Sequence, residues 1–379
     1  MLIPPMTRLF CLLGLTLLHA CSTQDLKAIE DTSHLKVPEG FKITLFADHV
    51  PRARTMALGP DGTIYVGSQG EGVVYAVQDR DGDGVAESQR VLLKGLDEPN
   101  GVAVLGNSLF VAEISRVSRY GPLGQADFQK NPAIRVYQDL PDETHHAYKI
   151  LKIGPDGDLY FAIGVPCNVC EIEDPRYGTL LRIHPDGTHP VRLAKGIRNT
   201  MGIDWDPESK DLWFTDNGRD WLGDDLPPDE LNHLTEEGLD FGFPHCFGQA
   251  LVDPDQGHSH DCLGSTPPAF EFKAHVAPLG LHFYQGQSFP ERFHHQLFIA
   301  QHGSWNRSQP SGYQVSMVTL DAHRKPVAET PLVTGWLGSH GHILGRPVDF
   351  LELKDGSLLI SDDMAGVIYR LSAHERSHQ

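Results

Sequence analysis

Apolar residues in this chain fall in short runs punctuated by Gly, Pro and Asp, a spacing that suits strands rather than helices. One phrase recurs: an apolar strand, a turn rich in Asp and Gly, then a second apolar strand. It stands at residues 59–66 (GPDGTIYV), 154–161 (GPDGDLYF) and 354–360 (KDGSLLI), with looser copies at 102–111, 203–214 and 297–300. Asp-Gly between β-rich runs is a strong hairpin signal, because glycine accepts the left-handed backbone such turns need. A further strand often follows, as at 73–77, 180–183 and 367–371. Asp61, Asn107 and Asp156 stand 46 and 49 residues apart, the period of a four-stranded propeller blade. The pattern predicts an all-β fold, a six-bladed β-propeller over residues 37–373. The N-terminal strand at 43–46 resembles segments 90–93 and 191–194, which end blades. It is therefore expected to complete the last blade and close the ring. The alternative, an open all-β sandwich, does not account for the long period. Intervals lengthen in the fourth and fifth blades, and insertions at one end of a propeller are where sites are built.

The N-terminus carries a different signal. Arg8 supplies positive charge, and residues 9–18 form an almost unbroken apolar run too short to span a membrane. Residues 1–20 therefore read as a signal peptide. Leu18-His19-Ala20-Cys21 follows the lipobox pattern of bacterial lipoproteins, which makes Cys21 the lipidated first residue and 21–36 an anchored linker. Ser22 in place of Asp points to the outer membrane, on its periplasmic side. The competing reading is an ordinary cleaved signal with an incidental cysteine.

Charge and cysteines narrow the class. Asp plus Glu total 50 against 31 for Lys plus Arg, a formal net charge of −19. Such a surface repels phosphate backbones and argues against nucleic acid as a partner. Beyond Cys11 and Cys21, four cysteines remain, which in an exported chain suggests two disulfides. Covalent haem attachment needs His directly after Cys170, where Glu171 stands, and Cys246 and Cys262 are too widely spaced for a zinc pair. The expected pairs are Cys167–Cys170 and Cys246–Cys262, the second closing an insertion of little apolar content.

Several segments are more polar than a propeller frame requires: 143–146 (ETHH), 196–199 (GIRN), 215–221 (TDNGRDW), 302–307 (HGSWNR) and 345–349 (GRPVD). Each falls at a strand end in the repeat, and corresponding positions of successive blades point into one central mouth. Together with CNVC at 167–170 and DNGRDWLGDD at 216–225, they make the chain resemble the sugar dehydrogenases that depend on pyrroloquinoline quinone (PQQ), in their L-sorbosone dehydrogenase-like branch. The resemblance covers nearly all of residues 36–372. It implies a six-bladed propeller with PQQ over the central channel, Ca2+ as second cofactor, and oxidation of an aldose or a sorbosone-like sugar aldehyde.

Residue by residue, the resemblance implies His146, eight residues before Gly154, as general base; imidazole suits this because its ordinary pKa lies near working pH. His145 is the weaker candidate, since neighbours on an extended chain point to opposite faces. Arg198 and Asn199 match the pair that polarises the quinone carbonyls, and Arg346 matches an arginine on a PQQ carboxylate. His302, Trp305 and Arg307 are expected to line the same mouth. Backbone carbonyls of Gly218 and Arg219 match those holding the cofactor's calcium, and Asp229 with Glu230 match an acidic segment at a second, structural calcium. The segment 79–84 (DRDGDG) alternates Asp like a calcium loop, but Arg90 stands where an EF-hand has Glu, and a tight solvated turn fits equally. Val165-Pro166-Cys167 stands where the soluble glucose dehydrogenases carry an Asp, so His146 is expected to lack a carboxylate partner, and no lysine near 302–303 matches theirs.

Two other classes remain open. One is a calcium-dependent lactonase or hydrolase on the same scaffold, with Glu113, Asn199, Asp216 and Asp362 as ligands. The other is a non-catalytic sugar-binding propeller. On the dehydrogenase reading, electrons leave to a separate acceptor, a cytochrome or a quinone, because the chain has no haem motif of its own.

Overall fold

The computed structural model describes residues 32–125, 127–257 and 261–374. Six antiparallel blades stand around a central channel. From the inside out, blade 1 comprises Ala53–Leu58, Ile64–Ser68, Val73–Gln78 and Ser88–Lys94. Blade 2 comprises Gly101–Leu105, Ser108–Ala112, Val117–Tyr120 and Ile134–Tyr137; blade 3, Lys152–Ile153, Leu159–Ile163, Thr179–Ile183 and Val191–Lys195. Blade 4 comprises Gly202–Trp205, Leu212–Asp216, Glu230–Leu234 and Phe270–Glu271; blade 5, Pro278–Phe283, Leu297–Gln301, Gln314–Leu320 and Pro326–Val333. Blade 6 takes Pro347–Glu352, Leu358–Asp362 and Val367–Ala373, and its outermost strand is Phe41–Ala47 from the N-terminus. Phe41 lies opposite Ala373 in that antiparallel pairing, so the ring closes as the repeat predicts.

The repeated phrase has a plain physical basis. Asp61, Asp156 and Asp355 each accept the amide N–H two residues on, at 2.9–3.1 Å. Gly62, Gly157 and Gly356 then take φ between +77° and +85°, where a Cβ would be strained. The second strand of a blade is covered on both faces by its neighbours. Leu159–Ile163, Leu212–Asp216 and Leu297–Gln301 are accordingly buried at every position, which is why each opens on a run of apolar residues instead of alternating with polar ones. One apolar cluster fills each of the six blade–blade interfaces, as where Val74 of blade 1 meets Val111 of blade 2. Truncating such a residue to Ala costs about 2–5 kcal/mol.

The longest insertion lies in blade 4, between Glu230–Leu234 and Phe270–Glu271. Its Leu239–Asp240 adds a parallel strand to the outer edge of blade 3, and Cys246–Phe247 pairs with Leu251–Val252 in a small hairpin. Both expected disulfides form, Cys167–Cys170 and Cys246–Cys262. The signal segment and Cys21 lie outside the described residues.

Candidate functional site

The polar strand ends of the repeat gather at one end of the channel, around a cavity of ≈ 380 Å³, within the range of small-molecule sites. Met201 and Leu279, which pack with Val348, form its apolar floor. His145, His146, Arg198, Asn199, Gly218, Asp229, His302, Trp305 and Arg346 all line it, as the resemblance implies for every one of them except Asp229, which it assigns to a structural calcium, and His145, its weaker choice of base.

His145 and His146 differ from the sequence expectation in one respect. They occupy a turn, not an extended strand, with His146 at φ +48°. Strand alternation therefore does not separate them, and both rings reach the cavity with centroids 4.0 Å apart. Hydrogen bonding does separate them. Nδ1 of His146 lies 3.0 Å from the carbonyl of Val165. A carbonyl only accepts, so Nδ1 carries the proton and Nε2 keeps its lone pair. The backbone of Val165 thus supplies the orienting partner that the missing aspartate would have provided. Burial, then the Arg198 guanidinium and His145, push the His146 imidazole down to about 2, so it is neutral. Gly164 makes this approach possible: a Cβ there would lie 2.5 Å from the His146 carbonyl oxygen and 2.7 Å from its Cβ.

Three guanidinium groups line the cavity of this strongly acidic protein. Arg198 is buried and donates from Nε to the Asn168 carbonyl at 2.8 Å, from Nη2 to Oδ1 of Asn168 at 2.8 Å and to Asp220 at 3.2 Å, and from Nη1 to the Asn217 carbonyl at 3.2 Å. Arg346 donates from Nε and Nη2 to the carbonyls of His302 and Gly303, leaving Nη1 without a partner among the described residues. Arg54, which the sequence reading missed, donates to Asn100 at 2.6 Å and to Asp363 at 2.8 Å. Asp363 also takes Nε2 of His302 at 2.9 Å. Burial works against the Asp363 charge, but His302 and Arg54 outweigh it and hold the carboxyl well below its usual range.

Asp216 and Asp362 do matching jobs in blades 4 and 6. Asp216 accepts the backbone N–H groups of Arg198 and Asn199, and Asp362 accepts those of Arg346, Met364 and Ala365. Each thereby fixes the main chain that carries a cavity arginine. Burial raises Asp216 to about 6 and Asp362 to about 7. Neither reaches the cavity wall, and Glu113 is committed to Arg116 and the Asp97 amide. Of the four ligands of the lactonase alternative, only Asn199 lines the cavity.

The remaining residues singled out in the sequence lie as follows. Arg307 does not line the cavity: it bonds the carbonyls of Asp224 and Ala274 and the Asp225 carboxylate, tying two loops together. The side chain of Arg219 points to Asp253 and Asp255, at 2.7 and 2.9 Å. Asp229 accepts the Gly218 and Ala277 amides at 2.8 Å each, fixing the peptide at the cavity wall, whereas its strand neighbour Glu230 takes the Gly248 amide and Asn232 on the other side. Burial raises Asp229 to about 7 and Glu230 to about 8. In the 79–84 turn, Glu87 rather than residue 90 joins Asp79, Asp81 and Asp83, with ligand atoms within 4.8 Å of one another. At the rim, Trp221 and Trp305 pack edge to face, centroids 5.2 Å apart, and both are about two-thirds exposed, at 66% and 64%.

Comparison with known proteins agrees with this architecture. Residues 249–373 match the TrAA12-like family. The calcium structure of the Trichoderma reesei Carbohydrate-Active Enzymes Family AA12 protein superposes with a TM-score of 0.75 at 18% identity, covering 90% of this chain and 97% of that one. The holo form of the pyranose dehydrogenase PQQ domain from Coprinopsis cinerea gives 0.74 at 17% identity, covering 89% and 97%. At such identities the likeness is one of fold. A closer sequence relative, 32% identical over 375 residues, aligns with 94% of this chain and 96% of its own length, and on that ground the chain belongs to the same family as this uncharacterized protein of Borreliella burgdorferi.

Proposed function

We propose that the chain is a PQQ-dependent dehydrogenase of sugars, acting on an aldose or, as its sorbosone dehydrogenase-like motifs suggest, a sugar aldehyde. The observation that carries this reading is the pairing of three cavity-lining guanidinium groups with a neutral imidazole whose Nε2 has no hydrogen-bond partner among the described residues. Guanidinium forks match carboxylates and carbonyl oxygens, so the donor set fits an anionic, oxygen-rich quinone. Arg346, with Nη1 unpartnered among the described residues, and Arg54 suit its carboxylates; Arg198 and Asn199 suit its carbonyls. Calcium would sit at oxygen donors beside Gly218, whose peptide Asp229 fixes. When bound, the quinone supplies a two-electron oxidant that takes up hydride.

The chain's own residues supply the rest. Nε2 of His146 takes the proton of the sugar hydroxyl as the C–H bond is oxidised, and the Val165 carbonyl holds the ring for it. The guanidinium of Arg198 stabilises negative charge developing beside it. Trp221 and Trp305 offer an exposed aromatic corner on which a pyranose ring can stack. The enzyme works at the periplasmic face of the envelope, held by lipid on Cys21, and passes electrons to a separate cytochrome or quinone. The test is to add PQQ and Ca2+ to the purified protein and record its visible spectrum before and after a panel of aldoses and aldosuloses. Uptake of the chromophore and its reduction by a sugar are expected; no uptake at micromolar PQQ would overturn the reading.

A further inference from the structure

Between the end of strand Leu159–Ile163 and Cys170 the chain has no regular structure, yet it touches both groups to which the reaction is assigned. The Val165 carbonyl holds Nδ1 of His146 at 3.0 Å, and the Val165 amide donates to the Arg198 carbonyl at 3.0 Å. Three residues later, Asn168 accepts from the Arg198 guanidinium twice, once at its backbone carbonyl and once at Oδ1, both at 2.8 Å. The same Oδ1 accepts the Asp220 amide at 2.8 Å, and Nδ2 donates to the Asp220 carbonyl at 3.1 Å. Asn168 is thus the hinge-pin between Arg198 and the loop that bears Trp221. No ladder of backbone hydrogen bonds fixes its pose. Cys167 and Cys170 close a small ring around it, and the Cys167 and Val169 side chains rest on Val165, Phe243 and Phe247.

We propose that Asn168, fastened by the Cys167–Cys170 disulfide, is the positioning residue for Arg198, and that this disulfide is a redox-sensitive fastener of the active cavity. Both cysteines are only half-buried, so a small dithiol can reach them. Reduction breaks the S–S bond. Two electrons and two protons come from the dithiol, which becomes a disulfide, and two protein thiols remain. Asn168 then regains backbone freedom. The Arg198 guanidinium loses its two best acceptors and keeps only Asn217 and Asp220. The Cys246–Cys262 bond does not touch Arg198 and has no such role.

The effect on turnover rests on the quinoprotein reading; the effect on structure does not, and the experiment separates them. Hydrogen exchange of the Asp220 and Val165 amides is measured by mass spectrometry in the full chain without cofactor. Asn168→Ala and the Cys167→Ser/Cys170→Ser pair should each speed it about tenfold, with the blade cores unchanged. Dithiothreitol should do the same to the wild type and add nothing to the double serine variant. With PQQ loaded, Asn168→Ala should lower kcat about tenfold to a hundredfold, while the melting temperature stays within about 2 °C. If every protein, wild type included, fails to turn over, the function is wrong but the exchange result still decides this proposal. Unchanged exchange in both variants, or a dithiothreitol response that persists in the double serine variant, overturns it. A variant that fails to fold leaves the wild-type response to dithiothreitol as the deciding measurement.

Discussion

Replacing Asp363 by Asn isolates one charge at the heart of the cavity wall. Asp363 and Arg54 are 309 residues apart in sequence and 2.8 Å apart in the fold, with side chains each 4% exposed. The carboxylate also takes His302 at 2.9 Å. Asparagine keeps the shape and removes the charge, so the guanidinium remains buried with only neutral partners such as Asn100. Breaking one side of a buried ion pair costs about 3–5 kcal/mol, far above the 0–1 kcal/mol typical of a surface pair. For a chain of this size, where each kcal/mol moves the melting temperature by roughly 1–2 °C, that is about 3–10 °C. Urea unfolding followed by tryptophan fluorescence should show a lower midpoint with an unchanged slope. Arg54→Met with Asp363→Leu should be less destabilised than Asp363→Asn alone, because no charge is left orphaned. The pH dependence has a definite sign. The carboxyl is held below its ordinary value, so the stability it contributes is present above the unfolded pKa of about 4 and fades as pH falls further. The gap between wild type and Asp363→Asn should therefore narrow below that pH. A cost under about 1 kcal/mol, or strictly additive effects in the double variant, would refute the reasoning.

Three further outcomes are expected. His146→Ala should lose about 10²–10⁴-fold in dye-linked turnover with PQQ uptake intact, and His145→Ala much less; if both retain activity, the assigned chemistry is wrong. Burial opposes a charge on His282, but the hydrogen bonds it donates to Asp204 and Glu352 outweigh it and raise the imidazole to about 9. Its contribution is complete below the unfolded pKa of about 6.5 and lost as pH rises through 9, so His282→Gln should flatten the fall in melting temperature between those values. An identical pH profile in the variant would count against it. Trp221→Ala and Trp305→Ala should raise the KM for sugar with PQQ affinity unchanged, measured by dye-linked kinetics and by spectral titration; an unaltered KM in both would remove the aromatic corner from substrate binding.

The blades are legible in the chain's local patterns. Asp-Gly turns whose aspartates bond the chain two residues on, and second strands buried on both faces, are local facts written in local residues, so the period and the ring closure by Phe41–Ala47 were legible. So were the two disulfides, and the strand ends that carry Arg198 and Arg346, because the repeat puts equivalent positions at one mouth. Tertiary structure decided what those side chains meet. Arg54 and Asp363 join the first and last blades, which nothing local announces; the Asp362-Asp363 doublet was the one available hint. Arg307 fell to a loop-to-loop tie because its acceptors lie in an insertion whose path the repeat does not encode. His145 and His146 share the cavity because their segment turns where an extended chain was expected, and Gly164 leaves room for the turn. The orienting partner of His146 is a main-chain carbonyl, a group every residue possesses, so its role comes from position in space alone.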